Sequence, residues 1–489
     1  MTTAQIPDGY TTPIPGQITT PDRVETRIGT LEFNDGRPSP ETVQAVFDFA
    51  DFSKAVEVFT RCIPAASLEA MRAGMVGQGC DATNKVAMTF DLLDSRPLFL
   101  TGNTDTVYAS AILDLERDGP TVVEIPPRCG PGTVNDAWFR FVIDMGGPGP
   151  DRGQGGSYLI VHEDYDGQIP EGYFTARTPS YVNWLILRGF LVDGSPETAT
   201  AMFREGLKIY PLAERDNPPA MEFSDLSGES FNTIHANDHQ FYEELASVIH
   251  REPVGVIDPE TRGLLASIGI HKDKPFRPDE RMKSILEEAA AVGNATARAV
   301  SFANRDPRAL IYEDRHWQTG FIGDDHTWMG GDPANGIDAD ARTMFFYLAT
   351  VNTPAMAWKL VGVGSQYALA MMDSDGSFFD GSKSYRLRIP ANPPAKEFWS
   401  VVVYDPQTRS ELQTSQPFPS RNSVRDDLFA GEDGAIDLQF GPTPPEGAPA
   451  ENWIETVPGK GWFALLRLYG PLEAWFDKTW IPDDFERLD

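Results

Sequence analysis

Residues 106–125 have the sequence TVYASAILDLERDGPTVVEI, and this stretch decides the fold class. Its two apolar runs, Thr106–Leu115 and Thr121–Ile125, are separated by the turn cluster Asp118-Gly119-Pro120. Short apolar runs bounded by Gly, Pro and Asp are typical of β-strands joined by tight turns. Further runs of this kind occupy residues 138–145, 157–161, 173–177 and 184–192. We therefore predict an N-terminal β domain.

The pattern changes outside this domain. Residues 194–302 show helical periodicity, whereas short strands and Asp-Gly turns return after Ser365. Ser39-Pro40 predicts a helix start, and a second helix is predicted from about Ala66 to Met75. The expected organisation is an extended arm over residues 1–37, a β domain with leading helices over 38–192, a helical region over 193–352 and a second β domain over 353–489.

Composition excludes several classes of function. The chain has 489 residues and a formal net charge of −31, so it repels phosphate backbones and anionic membranes. Its three cysteines, Cys62, Cys80 and Cys129, predict neither a disulfide framework nor a zinc site. No stretch approaches the roughly 18 apolar residues of a membrane span, and the N-terminus lacks a signal-peptide pattern. We predict a cytoplasmic protein that binds neither nucleic acid nor membrane.

Two sets of motifs resemble known families. The string Asn103-x-Asp105-Thr106-x-Tyr108, followed by Val-Glu-Ile-Pro-Pro, resembles domain-of-unknown-function family 1254. The run from Asp375-Gly376 through Arg467-Leu468-Tyr469-Gly470-Pro471 is similar to family 1214. The resemblance implies an α+β, mainly β fold: an immunoglobulin-like β-sandwich, a helical middle segment and a jelly-roll-like β-sandwich. It implies no established activity and supplies no catalytic residues.

The entrance of the first long strand carries the main candidate site. Asp105 is the predicted general base, with Asn103 and Tyr108 orienting the substrate or donating a hydrogen bond. Trp138 and Arg140 are expected to line the pocket. The alternative is turn chemistry, because Asn and Asp side chains often bond to the backbone two residues further on.

Other polar residues give weaker candidates. His316 lies in an aromatic loop with several carboxylates and is a candidate acid or base, and Arg409 ends a strand where an anion site is possible. His235 and His239 have helical i, i+4 spacing, but a helix cap at Asn237 or Asp238 would separate them, so no metal is predicted.

No phosphate-binding loop, dinucleotide-binding fingerprint, serine elbow or Cys-x-x-Cys motif is present, so no cofactor is predicted. The favoured hypothesis is an enzyme of hydrolytic or other acid–base chemistry, a cofactor-independent hydrolase or lyase, that acts on a small organic substrate. The alternatives are a non-catalytic protein that binds a small molecule or carbohydrate, and a structural homo-oligomer. A homo-oligomer is also the expected assembly in the first two cases.

Overall fold

The structure is a computed structural model that describes residues 9, 11–329 and 336–489. Its first part is a three-stranded sheet followed by a long helix. The elements are β1 (Arg23–Thr26), β2 (Gly29–Asn34), β3 (Arg37–Pro38) and α1 (Pro40–Gly77). The predicted arm over residues 1–37 therefore contains strands in its described part.

Helix α1 begins as predicted, since Ser39 caps it by accepting from the Thr42 amide at 3.2 Å. The prediction of two separate helices is wrong, because α1 continues through Pro64 to Gly77. Val58, Phe59 and the residues near Pro64 are fully buried against other helices. Burial of this apolar surface outweighs the one backbone hydrogen bond that proline removes.

The N-terminal β domain follows. Its elements are β4 (Lys85–Met88), β5 (Thr106–Asp114), α2 (Leu115–Asp118), β6 (Thr121–Ile125), β7 (Gly132–Asp136), β8 (Phe141–Met145), β9 (Gly156–His162), β10 (Phe174–Thr178), β11 (Val182–Phe190), α3 (Glu197–Gly206), β12 (Lys208–Pro211) and β13 (Glu222–Asp225). A six-stranded sheet, ordered β13-β4-β5-β11-β7-β8, packs on a four-stranded sheet, ordered β10-β9-β6-β12. Strands β12 and β13 lie beyond residue 192, which sequence analysis assigned to the helical region.

Strand β5 shows how this sheet is buried on both faces. Val107, Ala109 and Leu113 point into the core between the two sheets. Tyr108 and Ile112 point to the opposite face, where they join a core built largely by helices. Because side chains alternate along a strand, the six-stranded sheet contributes to two cores at once.

The helical layer and the elements that connect it are α4 (Gln240–Arg251), α5 (Pro259–Ser267), α6 (Glu280–Phe302), β14 (Trp317–Gln318), α7 (Ala339–Leu348) and α8 (Pro354–Ala357). Helix α1 packs against α4, α5, α6 and α7. Gly293 of α6 permits close contact with α1, because its backbone lies directly over the ring of Phe59.

The C-terminal β domain comprises β15 (Ser365–Ala370), β16 (Tyr385–Ile389), β17 (Ala395–Tyr404), β18 (Ser420–Asn422), β19 (Ile436–Gly441), β20 (Trp453–Glu455), β21 (Phe463–Pro471), α9 (Glu473–Phe476) and β22 (Glu486–Arg487). A five-stranded sheet, ordered β14-β15-β21-β17-β18, packs on a four-stranded sheet, ordered β20-β19-β16-β22. The other face of the five-stranded sheet meets the helical core. The fold is thus mostly β with a helical middle, while the immunoglobulin-like and jelly-roll assignments stay predictions. In the described part, no helix is long and apolar enough to cross a membrane.

The two histidines near α4 do not share a helix face, because α4 begins at Gln240 and His239 is its cap. His235 lies before the helix and is buried, and its Nδ1 is 2.8 Å from the carbonyl oxygen of Ala236. Burial lowers the pKa of His235 to about 3, so its ring is neutral. Across the described ranges, no three His, Cys, Asp or Glu side chains form a metal-ion site.

Glu244 of α4 gives a pH-dependent prediction. Its carboxylate accepts from the Ala236 amide, and burial raises its pKa to about 7. Since the unfolded value is about 4.5, the penalty for ionising Glu244 is absent below pH 4.5 and complete above pH 7. We expect Glu244→Gln to raise the free energy of unfolding by about 2 kcal/mol at pH 8 and to leave it unchanged at pH 4. Urea unfolding at both pH values measures this, with exposed Glu243→Gln as control; equal effects at both pH values would contradict it.

Candidate functional site

A cavity lies where the two β domains meet the helical layer. Its walls are the Phe99–Asn103 loop, strands β5 and β11, residues 320–321, the segment from α7 to α8, and strands β15 and β21. Its volume is about 60 Å³, which is more than a single water molecule needs. We call this space the interdomain cavity.

Most of the cavity wall is apolar. The residues of this kind are Phe99, Leu100, Ile186, Phe321, Met344, Phe345, Leu348, Ala349, Val351, Met356, Leu369 and Leu465. The polar groups that line it are Thr101, Asn103, Tyr108, Arg188, Thr350, Tyr367 and Arg467. An apolar wall with a few polar groups is typical of a small-molecule site.

Strand register explains why the main polar groups meet. Tyr108 on β5 is opposite Arg188 on β11, so both side chains lie on the same face of the six-stranded sheet. Tyr367 on β15 is opposite Arg467 on β21 in the C-terminal domain. The cavity is therefore enclosed between one Tyr–Arg strand pair from each β domain.

The predicted trio of Asn103, Asp105 and Tyr108 is close together, but the three side chains have different surroundings. Asn103 Oδ1 accepts from the backbone amides of Asp105 and Thr106, at 2.9 and 3.1 Å, which is the turn chemistry considered as the alternative. These donors also fix the orientation of the amide, so Asn103 Nδ2 donates to the Tyr108 hydroxyl. Burial raises the pKa of Tyr108, and the hydroxyl keeps its own hydrogen for an acceptor in the cavity.

Asp105 is fully buried and does not line the cavity. One of its carboxylate oxygens accepts from the Ser400 hydroxyl at 2.5 Å, and the other accepts from Asn422 Nδ2 at 3.0 Å. Both donors belong to the C-terminal β domain. Asp105 therefore joins the two β domains directly behind the cavity wall.

The other predicted site residues lie elsewhere. Trp138 and Arg140 line a separate cleft of about 690 Å³, where Arg140 pairs with Asp136 at 2.6 Å. His316 lies in the C-terminal domain with its Nδ1 3.1 Å from Asp484. Arg409 is buried beside Tyr347, with its guanidinium carbon 4.2 Å from the ring centroid. The structure does not bring these residues together with Tyr108.

Two β-branched residues in the cavity wall have left-handed backbone conformations, Thr101 with φ 39° and Val351 with φ 67°. This conformation is unfavourable for β-branched side chains and costs about 1–3 kcal/mol per residue. Thr101 is held by three hydrogen bonds: its amide donates to Arg409, its hydroxyl donates to Leu348, and its carbonyl accepts from Arg467. Backbone strain of this kind concentrates at functional sites.

Arg188 was not among the predicted site residues, and Arg467 entered only as part of a family motif. Both lie inside strands that are otherwise buried and apolar. A charged residue in the middle of such a strand is the signal that identifies them, since a buried charge requires a partner.

Comparison with protein families accounts for both β domains. The DUF1254 sequence model, described as a protein of unknown function, matches residues 83–211. The DUF1214 model, also described as a protein of unknown function, matches residues 364–473. The chain carries a DUF1254 domain followed by a DUF1214 domain. Both family assignments and their order along the chain, which were predicted from the sequence motifs, are confirmed.

The cavity draws on both matched segments. The DUF1254 segment supplies Tyr108 and Arg188, and the DUF1214 segment supplies Tyr367 and Arg467. Helix α7 and the residues that follow it close the cavity from the stretch between the two segments. Both the DUF1254 domain and the DUF1214 domain therefore contribute walls and polar groups to this site.

The crystal structure of the VPA0106 protein from Vibrio parahaemolyticus has a similar fold. It is 18% identical, with a TM-score of 0.54 over 90% of this chain and 100% of that chain. The crystal structure of an uncharacterized protein from Burkholderia cenocepacia is 11% identical, with a TM-score of 0.40 over 92% of this chain and 98% of that chain, and adds nothing further. No curated protein matches the chain.

Proposed function

We propose that the protein binds a small organic molecule in the interdomain cavity. The observation that carries this proposal is the convergence of buried polar groups from both β domains on one mostly apolar cavity. The strained backbone at Thr101 and Val351 supports it, because both residues belong to the same wall. The homo-oligomeric state and the cytoplasmic location are predictions from the sequence and have no part in this proposal.

Ala349→Phe tests the binding proposal. Ala349 lines the cavity, and a phenyl ring there takes up space that a ligand needs. We expect natively purified wild-type protein to release a small molecule on denaturation, detected by mass spectrometry, and the Ala349→Phe protein to release at least tenfold less. Ala291→Phe, on the exposed surface of α6, is the matched control and should release as much as wild type. Release of the same amount of small molecule from the Ala349→Phe protein as from wild type would contradict the proposal.

The second candidate function is acid–base catalysis of a hydrolysis or an elimination. It is favoured by the Tyr108 hydroxyl, which accepts from Asn103 and has its own hydrogen left to donate to a ligand oxygen. The predicted base, Asp105, is enclosed away from the cavity, and no carboxylate lines the cavity among the described residues. Binding is therefore the better supported function.

Tyr108→Phe distinguishes binding from catalysis. We expect the molecule released by wild-type protein to be recovered unchanged after incubation with fresh wild-type protein if the protein only binds it. If the protein is an enzyme, a product of different mass forms, and Tyr108→Phe slows its formation by about 100-fold or more. Equal product formation by both proteins would exclude Tyr108 as the acid.

A further inference from the structure

The interdomain cavity contains two buried positive charges. Arg188 and Arg467 are 7% and 3% exposed, and both line the cavity. In the described part of the chain, neither guanidinium group has a carboxylate oxygen within 4.0 Å, the limit for an ion pair. A guanidinium group stays charged in proteins, so burial without a paired anion is costly.

The surroundings of the two arginines only partly compensate their charges. Arg467 donates to the Tyr404 hydroxyl and to the carbonyls of Thr101 and Gly102. Arg188 lies 5.9 Å from the ring centroid of Tyr108, and its buried Nε has no hydrogen-bond partner within residues 11–329 and 336–489. A neutral ring and neutral carbonyls reduce the cost of a buried cation but do not neutralise it.

Three carboxylates are buried behind the cavity wall. Two of them, Asp105 and Asp144, are already hydrogen-bonded, whereas Glu411, beside Gly102, has no hydrogen-bond partner among the described residues. Asp105 accepts from Ser400 and Asn422, and Asp144 accepts from the Thr353 hydroxyl. None of the three carboxylates lines the cavity or lies within 4.0 Å of either guanidinium group. The space is therefore left for an anion that comes from outside the chain.

The shape and chemistry of the cavity define that anion. Apart from these polar groups the wall is apolar, and the volume of about 60 Å³ admits a ligand of only a few carbon atoms. A guanidinium group matches the two oxygens of a carboxylate with two parallel hydrogen bonds.

We propose that the ligand is a short-chain organic carboxylate whose carboxylate group binds Arg188 and Arg467 and whose apolar tail lies against Ile186, Leu369 and Leu465. Tyr108 and Tyr367 flank the carboxylate, and the Tyr108 hydroxyl donates to it or to a neighbouring oxygen. This inference rests on the proposed binding function and names the substrate class of the same cavity.

Thermal unfolding with matched probes tests the charge requirement. Acetate, butanoate and hexanoate are each compared with acetamide, butanamide and hexanamide at equal ionic strength. We expect butanoate to raise the melting temperature of the wild-type protein by about 2–5 °C at saturation, and the amides to have no effect. Equal shifts with carboxylate and amide would overturn the inference while leaving the binding proposal intact, and so would the absence of any shift.

Arg188→Met and Arg188→Lys test the named contact. We expect the affinity for the carboxylate that binds wild type most tightly to fall about 100-fold in Arg188→Met. The loss should be smaller in Arg188→Lys, because lysine keeps the positive charge but lacks the planar guanidinium group. Arg204→Met is the control, because Arg204 also lies over an aromatic ring but is exposed and remote from the cavity. Unchanged affinity in either Arg188 variant that folds would overturn the proposal. If neither folds, the comparison of carboxylate with amide in the wild type decides it.

Discussion

Asp105→Ala is expected to lower the free energy of unfolding by about 4 kcal/mol. The fully buried carboxylate accepts from Ser400 and Asn422, so its removal leaves two buried donors of the C-terminal β domain without acceptors. Asp105 lies just before strand β5 of the N-terminal β domain. The substitution therefore removes hydrogen bonds that join the two β domains. Chemical denaturation monitored by tryptophan fluorescence measures the effect.

Asp105→Asn is the matched variant that separates a structural role from the predicted role as a general base. Its side-chain oxygen can still accept from Asn422, and its amide can donate to the Ser400 hydroxyl. We expect a loss of only about 1 kcal/mol and full retention of the cavity ligand. If Asp105→Asn keeps its stability but abolishes turnover of a substrate, Asp105 is the base and its role is not structural alone.

Gly293→Ala is expected to lower the free energy of unfolding by about 3 kcal/mol. An added Cβ would lie 2.6 Å from Cγ of Phe59, and two further Phe59 atoms would lie within 2.8 Å. Phe59 cannot move aside easily, because its ring stacks on Phe241 with centroids 4.2 Å apart. The substitution therefore forces α1 and α6 apart and disturbs the helical layer that supports the cavity.

Gly263→Ala is the control for this prediction. Gly263 is also in a helix, α5, but it is exposed, and nothing lies within 4 Å of an added Cβ. Alanine should therefore raise the free energy of unfolding by about 0.5–1 kcal/mol, as expected from helix propensity. The two alanine substitutions should thus have opposite signs in urea denaturation. A stabilising effect of Gly293→Ala would show that the contact between α1 and α6 is looser than the structure indicates.

Most of the strands of five or more residues were predictable because their signal is local. The runs around residues 106–125 and 184–192 have apolar side chains on both faces, and both became interior strands of a sheet. Most short strands were missed. Strand β4 is an example, since its four residues, KVAM, give no pattern long enough to recognise. The unbroken helix α1 was missed because Pro64 is a local stop signal that packing overrides.

The candidate site was only partly predictable. The motif that contains Asn103 and Tyr108 correctly indicated two residues of the cavity wall. Whether the carboxylate of Asp105 faces the cavity, however, depends on contacts with the C-terminal β domain. Asp105 is enclosed by Ser400 and Asn422, which lie about 300 residues further along the chain. Likewise, the meeting of Arg188 with Arg467 depends on how two sheets pack, and no local pattern encodes this.

The parallel pairing of β13 with β4 limits how the chain can be divided. A fragment that ends at residue 211, the last residue of the DUF1254 match, lacks β13 and leaves β4 as an unpaired edge of the six-stranded sheet. It also exposes the sheet face that carries Tyr108 and Ile112. An open edge next to bare apolar surface promotes pairing between molecules, so such a fragment would aggregate where the whole chain does not.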